Sequence, residues 1–516
     1  MRRSLLLAGL AVSMIGPVSA QSFPTDDPVI KRIWDEGMNR SEAMTLLQAL
    51  TDSIGPRLTG SPAIEAGNDW LVRTYAKWGV TAKNVQYGTW LGWRRGVSHL
   101  DLIAPRVRSL EATILAWSAG TNGKPVEAAP IILPDLPNPA AFQAWLPNVK
   151  GKAVLISQPM ASCRPESSIK EFALPGTFTE MMRARNADRE AWAKRLERTG
   201  LSARELPVAL EKAGAAGVLT SLWSSGWGVT KIFQARTRQI PTYDLSCEDY
   251  GLVYRLTERE QGPKLRMFAD AEFLGDVPVF NTIAEIRGSE RPDEYVVLSA
   301  HFDTWDGASG ATDNGTGTVT MLEALRILKT VYPNPKRTIL VGHWNGEEQG
   351  LNGSRAFVQD RPEVVAGLQA LFNQDNGTGR IVNVSASGLV GATSMLAKWL
   401  AKVPTDLTNH INFGFAGRPA GGGSDHASFV CSGAPGFGLG SLSWEYGTYT
   451  WHTNRDTYDK VVPDEVKNNA VLTAMLAYQA SEDPERVPRD RRVLPLDLGS
   501  WPDCTPPART IQQYTR

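Results

Sequence analysis

From Asn281 onward the chain alternates short, wholly apolar runs with amphipathic stretches, and this alternation limits the fold more than any other feature. Val296-Val297-Leu298-Ser299-Ala300 reads as a buried strand. A glycine-rich loop follows, then a helix over about Thr316–Thr330 that sets Val319, Leu322, Leu325 and Leu328 on one face. Thr338–Trp344 and Leu368–Asn373 read as further strands, and Pro463–Ser481 as a closing amphipathic helix. Strands separated by helices make a sheet covered on both faces, so the expected class is α/β, a mixed sheet in an α/β/α arrangement. Ligands in such sheets bind beyond the carboxyl ends of the strands. Chemistry is therefore expected in the residues that follow Ala300, Trp344 and Asn373.

Upstream, the turn-rich segment Gly55-Pro56-Arg57-Leu58-Thr59-Gly60-Ser61-Pro62 leads into one amphipathic helix carrying Ile64, Leu71, Tyr75 and Trp78. Ser61 suits its cap, Pro62 its first position and Gly79 its end. From about Leu100 to Leu274 the character changes to short apolar runs such as Pro130–Leu133 and Ala153–Ile156, punctuated by Gly, Pro and Asn. A charged helical stretch, Thr177–Thr199, and a helix that turns through glycine into a strand, Val208–Leu222, lie among them. The expected organisation is residues 21–99 and 275–485 as two parts of one domain, 100–274 as a smaller β-rich insert, and 486–516 as an extended tail.

Residues 1–20 read as a secretory signal peptide: Arg2 and Arg3, the apolar run Leu5–Ile15, then Val18-Ser19-Ala20 as the cleavage site. The run is too short to span a bilayer. Arg2-Arg3 ahead of Ser-Leu-Leu also suits twin-arginine export. The mature chain is expected to start at Gln21 and to be secreted or periplasmic, with no membrane span. An exported chain with four cysteines, Cys163, Cys247, Cys431 and Cys504, admits three disulfide pairings, and without a CxxC pair a thiolate zinc cluster is not expected. The 54 Lys+Arg are balanced by 54 Asp+Glu, which argues against a nucleic-acid partner.

With only six histidines, their surroundings carry information. His301 follows a strand end and is joined by Asp313, by Glu347-Glu348 after Trp344, by Asp375 after Asn373, and by His452 in Trp451-His452-Thr453. Two imidazoles and several carboxylates suit zinc, and a carboxylate able to bridge suits a pair of zinc ions. Two such ions against Asp313, Glu348 and Asp375 leave one positive charge, enough to generate a hydroxide nucleophile near neutral pH. Of the adjacent glutamates, Glu348 is expected to bind metal and Glu347 to act as the general base. Asp303, two residues after His301, is expected to steady that imidazole. Asp425, His426 and Trp451 are expected to line the substrate pocket. His343 reads as a packed core residue, and His99 and His410 as surface or structural ones. Gly421–Gly423 and Gly436, Gly438 and Gly440 match neither a phosphate loop nor a dinucleotide fingerprint.

The set His301-Phe-Asp303, Ala-Thr-Asp313-Asn-Gly, Asn-Gly-Glu347-Glu348-Gln-Gly, Asp375-Asn-Gly, Gly-Ser-Asp425-His426 and His452-Thr-Asn-Arg-Asp456 resembles the M28 family of zinc peptidases in order and spacing. The likeness covers Thr51–Gly79 and Asn281–Ser481. Gly214-Ala215-Ala216-Gly217-Val218-Leu219 makes the insert resemble a protease-associated domain, and Ile114–Ser118 with Gly120-Thr121 is similar to one subgroup of the family. The resemblance implies a zinc exopeptidase domain with two zinc ions. His301 and Asp375 complete one site, Glu348 and His452 the other, and Asp313 bridges them, with Glu347 as the catalytic acid/base. The implied activity is hydrolysis of the N-terminal residue of a peptide, or of a dipeptide, and homodimerisation stays open. Several aminopeptidases of the family place a Tyr near the last His for the oxyanion; here Trp451 precedes it, with Tyr446, Tyr449 or the zinc itself as substitutes. Secreted glutaminyl cyclases share the fold and a Trp-His-Thr sequence but use one zinc, and receptor-like ectodomains of the same fold lack the ligands; these are the alternative readings.

Overall fold

In the computed structural model, which describes residues 23–494 and 500–515, two strands of unusual length run through the molecule. They are β1 (Thr81–Ala104) and β2 (Lys264–Ile286), paired antiparallel from Thr81↔Glu285 to Ala104↔Lys264. The expected signal peptide, residues 1–20, lies outside the described residues.

The large sheet builds outward from β2. β3 (Arg291–His301), β4 (Arg337–Trp344), β5 (Leu368–Asn373) and β6 (Gly436–Ser441) run parallel, with β3 between β4 and β5, and β6 beyond β5. β4 pairs antiparallel with β2, which makes the sheet mixed. The short strands Ile381–Ser385 and Asn412–Gly414 extend one edge, and Arg108–Leu110 the other. The four parallel strands are near-continuous apolar runs because helices cover both faces and no face is left for solvent.

Helix α1 (Pro62–Lys77) starts as its sequence dictates, with the Ser61 hydroxyl accepting from Ile64 N at 3.3 Å. Helices α2 (Thr316–Val331) and α3 (Pro463–Glu482) pack together within the main core, which also takes Val296, Leu298, Ile339 and Phe372 from the sheet. α2 is more enclosed than its apolar stripe suggests: every residue from Thr316 to Leu328 is buried. Thr318 donates to the His301 carbonyl at 2.9 Å and Arg326 to Glu323 and Glu36 at 2.6–2.9 Å, while the Thr320 hydroxyl has no hydrogen-bond partner among the described residues.

The smaller sheet is built from Ala112–Ile114, Thr242–Leu245, Gly217–Thr220, Ala153–Leu155 and Pro130–Ile132, the last four mutually parallel. Five α-helices lie in the same stretch of chain, among them Thr177–Glu197 and Cys247–Glu258. The sheet's core receives Leu100 and Leu102 from β1 and Leu265 and Met267 from β2. The far half of the long ribbon therefore packs on this sheet while the near half belongs to the large one.

The cysteines pair as Cys163–Cys247 and Cys431–Cys504. The second tethers the C-terminal segment, which is docked on the rest of the chain: Trp501 donates to the Val430 carbonyl at 3.0 Å, and Thr89 N to the Arg509 carbonyl at 2.8 Å.

His343 on β4 is fully buried, with Nε2 2.7 Å from the Tyr75 hydroxyl. Burial pulls its pKa down to about 3. The unfolded chain, titrating near 6.5, therefore takes up this proton first. The stability this site contributes is complete above about pH 6.5 and is lost as pH falls toward 3, by up to about 5 kcal/mol. Urea midpoints of His343→Gln, which keeps an acceptor for Tyr75, are expected to fall less steeply with acidification than those of the wild type. Parallel curves would remove this account.

Candidate metal centre

The residues singled out past the strand ends converge because β3 lies between β4 and β5 in register, His301 opposite Trp344 and Ser299 opposite Asn373. His301 closes β3. Glu347 and Glu348 follow β4 by three and four residues, and Asp375 follows β5 by two. Gln374 N continues the pairing to the Ser299 carbonyl at 3.1 Å, which fixes where Asp375 emerges. Asp313 sits in the turn Ala311–Gly315 ahead of α2, and its peptide bond to Asn314 is cis. Asp456 holds this turn by accepting from Thr312 N at 2.7 Å and Asp313 N at 2.9 Å.

His301 Nε2 is 3.0 Å from Asp375 Oδ1 and 3.3 Å from Asp313 Oδ1. His452 Nε2 is 2.9 Å from Glu348 Oε2 and 3.2 Å from Asp313 Oδ2. The two oxygens of Asp313 thus face different imidazoles. His301, Asp313 and Asp375 form one group able to hold a metal ion, and Asp313, Glu348 and His452 a second. Glu347 belongs to neither.

Asp303 acts in two directions. Its backbone carbonyl lies 2.9 Å from His301 Nδ1 and orients the ring, while its carboxylate is 3.7 Å from the same nitrogen. That carboxylate accepts instead from Glu347 N at 3.2 Å, Glu348 N at 3.3 Å and the Thr59 hydroxyl at 3.3 Å, so it organises the turn carrying both glutamates. Arg57, fully buried, ties down the loop after β3 by donating to the carbonyls of Gly55, Phe302, Ser309 and Gly310. In the sequence nothing separates Arg57 from an ordinary solvated arginine, whereas Asp456 stands in the His452 motif and was open to notice.

The centre is dense in negative charge. Burial, with His301 opposing and Asp375 and Glu348 adding, pushes the Glu347 pKa well above the usual carboxylate range. Burial likewise raises Glu348 to about 7 against the pull of His452. For His452, burial is outweighed by Glu348 and Asp313, which lift its pKa to about 10. Asp313 is held low despite burial by the two imidazoles that flank it. Asp313 Oδ2 and Glu348 Oε1 are buried without a hydrogen-bond partner among the described residues. Buried carboxylates left in this state call for cations.

His426 lines a cavity of about 660 Å³ that opens beside Asp375, together with Asn383, Asn412, Phe413 and Arg418. Asp425 is buried, with neither carboxylate oxygen hydrogen-bonded among the described residues. Gly436, Gly438 and Gly440 alternate on β6, and a Cβ at Gly438 would come 3.0 Å from His426 Nε2. These glycines keep the wall thin, which is what their spacing does in place of a nucleotide fingerprint. Trp451 lies on the other side, 40% exposed and stacked on the His452 ring at 4.1 Å. Tyr446 is close enough to the cluster that, after burial, Asp313 and Asp375 raise its hydroxyl pKa. His99, stacked on Phe268, and His410 lie outside this assembly.

Residues 281–477 match Peptidase family M28. The chain is 25% identical over 463 residues to carboxypeptidase Q of Bos taurus, covering 89% of this chain and 88% of that protein. Carboxypeptidase Q is also the subgroup to which Ile114–Ser118 is similar. In fold the chain is similar to an M28 peptidase precursor from Shewanella amazonensis, with a TM-score of 0.65 at 23% identity over 90% of this chain and 98% of that one. It is also similar to a zinc aminopeptidase from Bacillus subtilis, with a TM-score of 0.54 at 19% identity over 86% of this chain and 95% of that one.

Proposed function

We propose, on the premise that residues 281–477 are an M28 peptidase domain, that this chain is an exported di-zinc exopeptidase that releases the N-terminal residue of a peptide or splits a dipeptide. The observation that carries the reading is Asp313, whose Oδ1 faces the His301 and Asp375 side and whose Oδ2 faces the Glu348 and His452 side. Donors bound to one zinc at 2.0–2.2 Å in a tetrahedral arrangement stand about 3.3–3.6 Å apart. The spacings of 2.9–3.3 Å here fit that with little movement. Zinc held by these side chains would polarise a scissile carbonyl and bring the pKa of water to near 7.

The remaining steps fall to the chain's own groups. Glu347, free of both ligand sets and fixed through its backbone by Asp303, takes a proton from the attacking water and returns it to the departing amine. In this reading Tyr446, which senses the charge of Asp313 and Asp375, donates to the oxygen on which charge develops. The cavity beside Asp375 receives a substrate residue; its four asparagines suit a polar group, and Arg418, the one guanidinium of its lining, a carboxylate. Carboxypeptidase Q and the zinc aminopeptidase, by name, both act at chain ends, which supports an exopeptidase.

Two disulfides support an oxidising compartment, in keeping with export by the signal peptide, and no helix among the described residues is long and apolar enough to cross a membrane. In this reading residues 100–274 are the protease-associated-type insert.

The test is a panel of free dipeptides, longer peptides and their N-blocked forms, assayed with and without a chelator. Release of amino acids that stops on N-blocking and on chelation is expected, and returns with added zinc. Chelator-resistant release would end the zinc reading, and pyroglutamate formation without hydrolysis would favour the cyclase.

A further inference from the structure

The two histidines of the centre are oriented by different means. His301 has the usual arrangement for a metal ligand, its second ring nitrogen 2.9 Å from the Asp303 carbonyl. The corresponding Nδ1 of His452 is buried with no hydrogen-bond partner among the described residues. Its backbone also sits at φ 53, a left-handed conformation that a non-glycine residue keeps only when its surroundings enforce it. Something other than a hydrogen bond to Nδ1 must hold it.

That something comes from the smaller sheet. Residues 229–235, between the strands Gly217–Thr220 and Thr242–Leu245, run alongside Trp451–Asn454. Ile232 N donates to the His452 carbonyl at 3.0 Å, and Asn454 N to the Thr230 carbonyl at 3.1 Å. Thr230 N donates to Asn454 Oδ1 at 2.9 Å. The Lys231 ammonium donates to the Trp451 carbonyl and lies 4.6 Å from the centre of that indole. The His452 ring is then enclosed by three aromatic rings: Trp451 stacked at 4.1 Å, Phe233 edge-on at 5.1 Å and Trp305 at 6.1 Å. The segment is itself anchored. Asp244, fully buried, accepts from Lys231 N at 2.8 Å through one oxygen, and from Leu222 N and Thr220 Oγ1 at 2.9 and 2.8 Å through the other.

We propose that Thr230–Phe233, anchored on Asp244, is the positioning element for His452, with Lys231 as its key residue, so that the smaller sheet controls occupancy of one metal site and leaves the other alone. The inference rests on the di-zinc reading above. Lys231 touches neither ligand nor substrate in this account. It fixes the Trp451 carbonyl and ring, and these fix the imidazole.

The test measures zinc bound per chain, and the affinity of each ion by competition with a chromophoric chelator, for wild type, Lys231→Met, Lys231→Arg and Phe233→Leu. Supporting groups around metal ligands are typically worth about 10–100-fold in metal affinity. Lys231→Met is expected to weaken one ion by that factor and leave the other unchanged, with Lys231→Arg restoring it. Phe233→Leu, which keeps the backbone pairing but removes an edge contact with the ring, is expected to act in the same direction. Two ions bound as tightly in both Lys231→Met and Phe233→Leu as in a two-zinc wild type would overturn this inference and leave the di-zinc reading standing. A wild-type chain that binds no zinc would overturn both.

Discussion

Replacing Glu347 by Gln is expected to leave zinc content unchanged and to cut kcat by about 10²–10⁴-fold, the range general acid–base groups contribute. The expectation follows from Glu347 standing outside both ligand groups while its backbone N–H is fixed by Asp303 at 3.2 Å. A neutral amide keeps the shape and cannot accept a proton. Because the interaction is used in the transition state, kcat should fall with little change in KM. Metal analysis of the same preparation separates this from a disturbed site. A Glu347→Gln protein that turns over at the wild-type rate with both ions bound would transfer the role to another group.

Asp313→Ala should do more damage by a different route. Each proposed ion would keep only two protein ligands, His301 with Asp375 and Glu348 with His452, so zinc per chain should fall from two toward zero after dialysis. Several kcal/mol of charge stabilisation would go with the ions, on the order of 10³-fold or more in rate. The fold should survive, because Asp456 holds this turn through the backbone N–H groups of Thr312 and Asp313 and not through the Asp313 carboxylate. The melting temperature should also lose its dependence on added zinc, since a ligand bound only by the native state stabilises by mass action. Two ions retained in Asp313→Ala would mean that the oxygens of Asp313 are not shared.

These predictions rest on residues that the sequence exposes unusually well. The strands ending at His301, Trp344 and Asn373 close on short apolar runs, and α2 and α3 are bounded by glycine and proline, so the carboxyl ends of the strands and both ends of the helices could be placed to within a residue or so, whereas the first strand begins at Arg291, five residues before its apolar run. Once the ends are placed, parallel pairing alone brings His301, Glu347, Glu348 and Asp375 to one edge of the sheet. What the sequence conceals are contacts with no periodicity behind them. Ile232 reaches the His452 carbonyl from more than two hundred positions away, through backbone pairing that any side chains would permit. Arg57 is hidden because burial of an arginine is decided by the carbonyls that surround it, and these belong to loops whose course depends on the finished fold. The changes in composition near Leu100 and Leu274 fall in mid-strand, since backbone hydrogen bonding is indifferent to the shift in side-chain character.

The length of β1 and β2 dictates how a pared-down enzyme could be engineered. Cutting at Leu100 and Leu274 would sever the ladder out of step and leave raw strand edges, which recruit other chains and aggregate. Ala104 and Lys264 instead face each other as the last Cα pair. A two-residue Asn-Gly turn grafted there would close the ribbon as an ordinary hairpin and remove everything between, provided Leu100, Leu102, Leu265 and Met267, which would lose the sheet that buries them, are made polar.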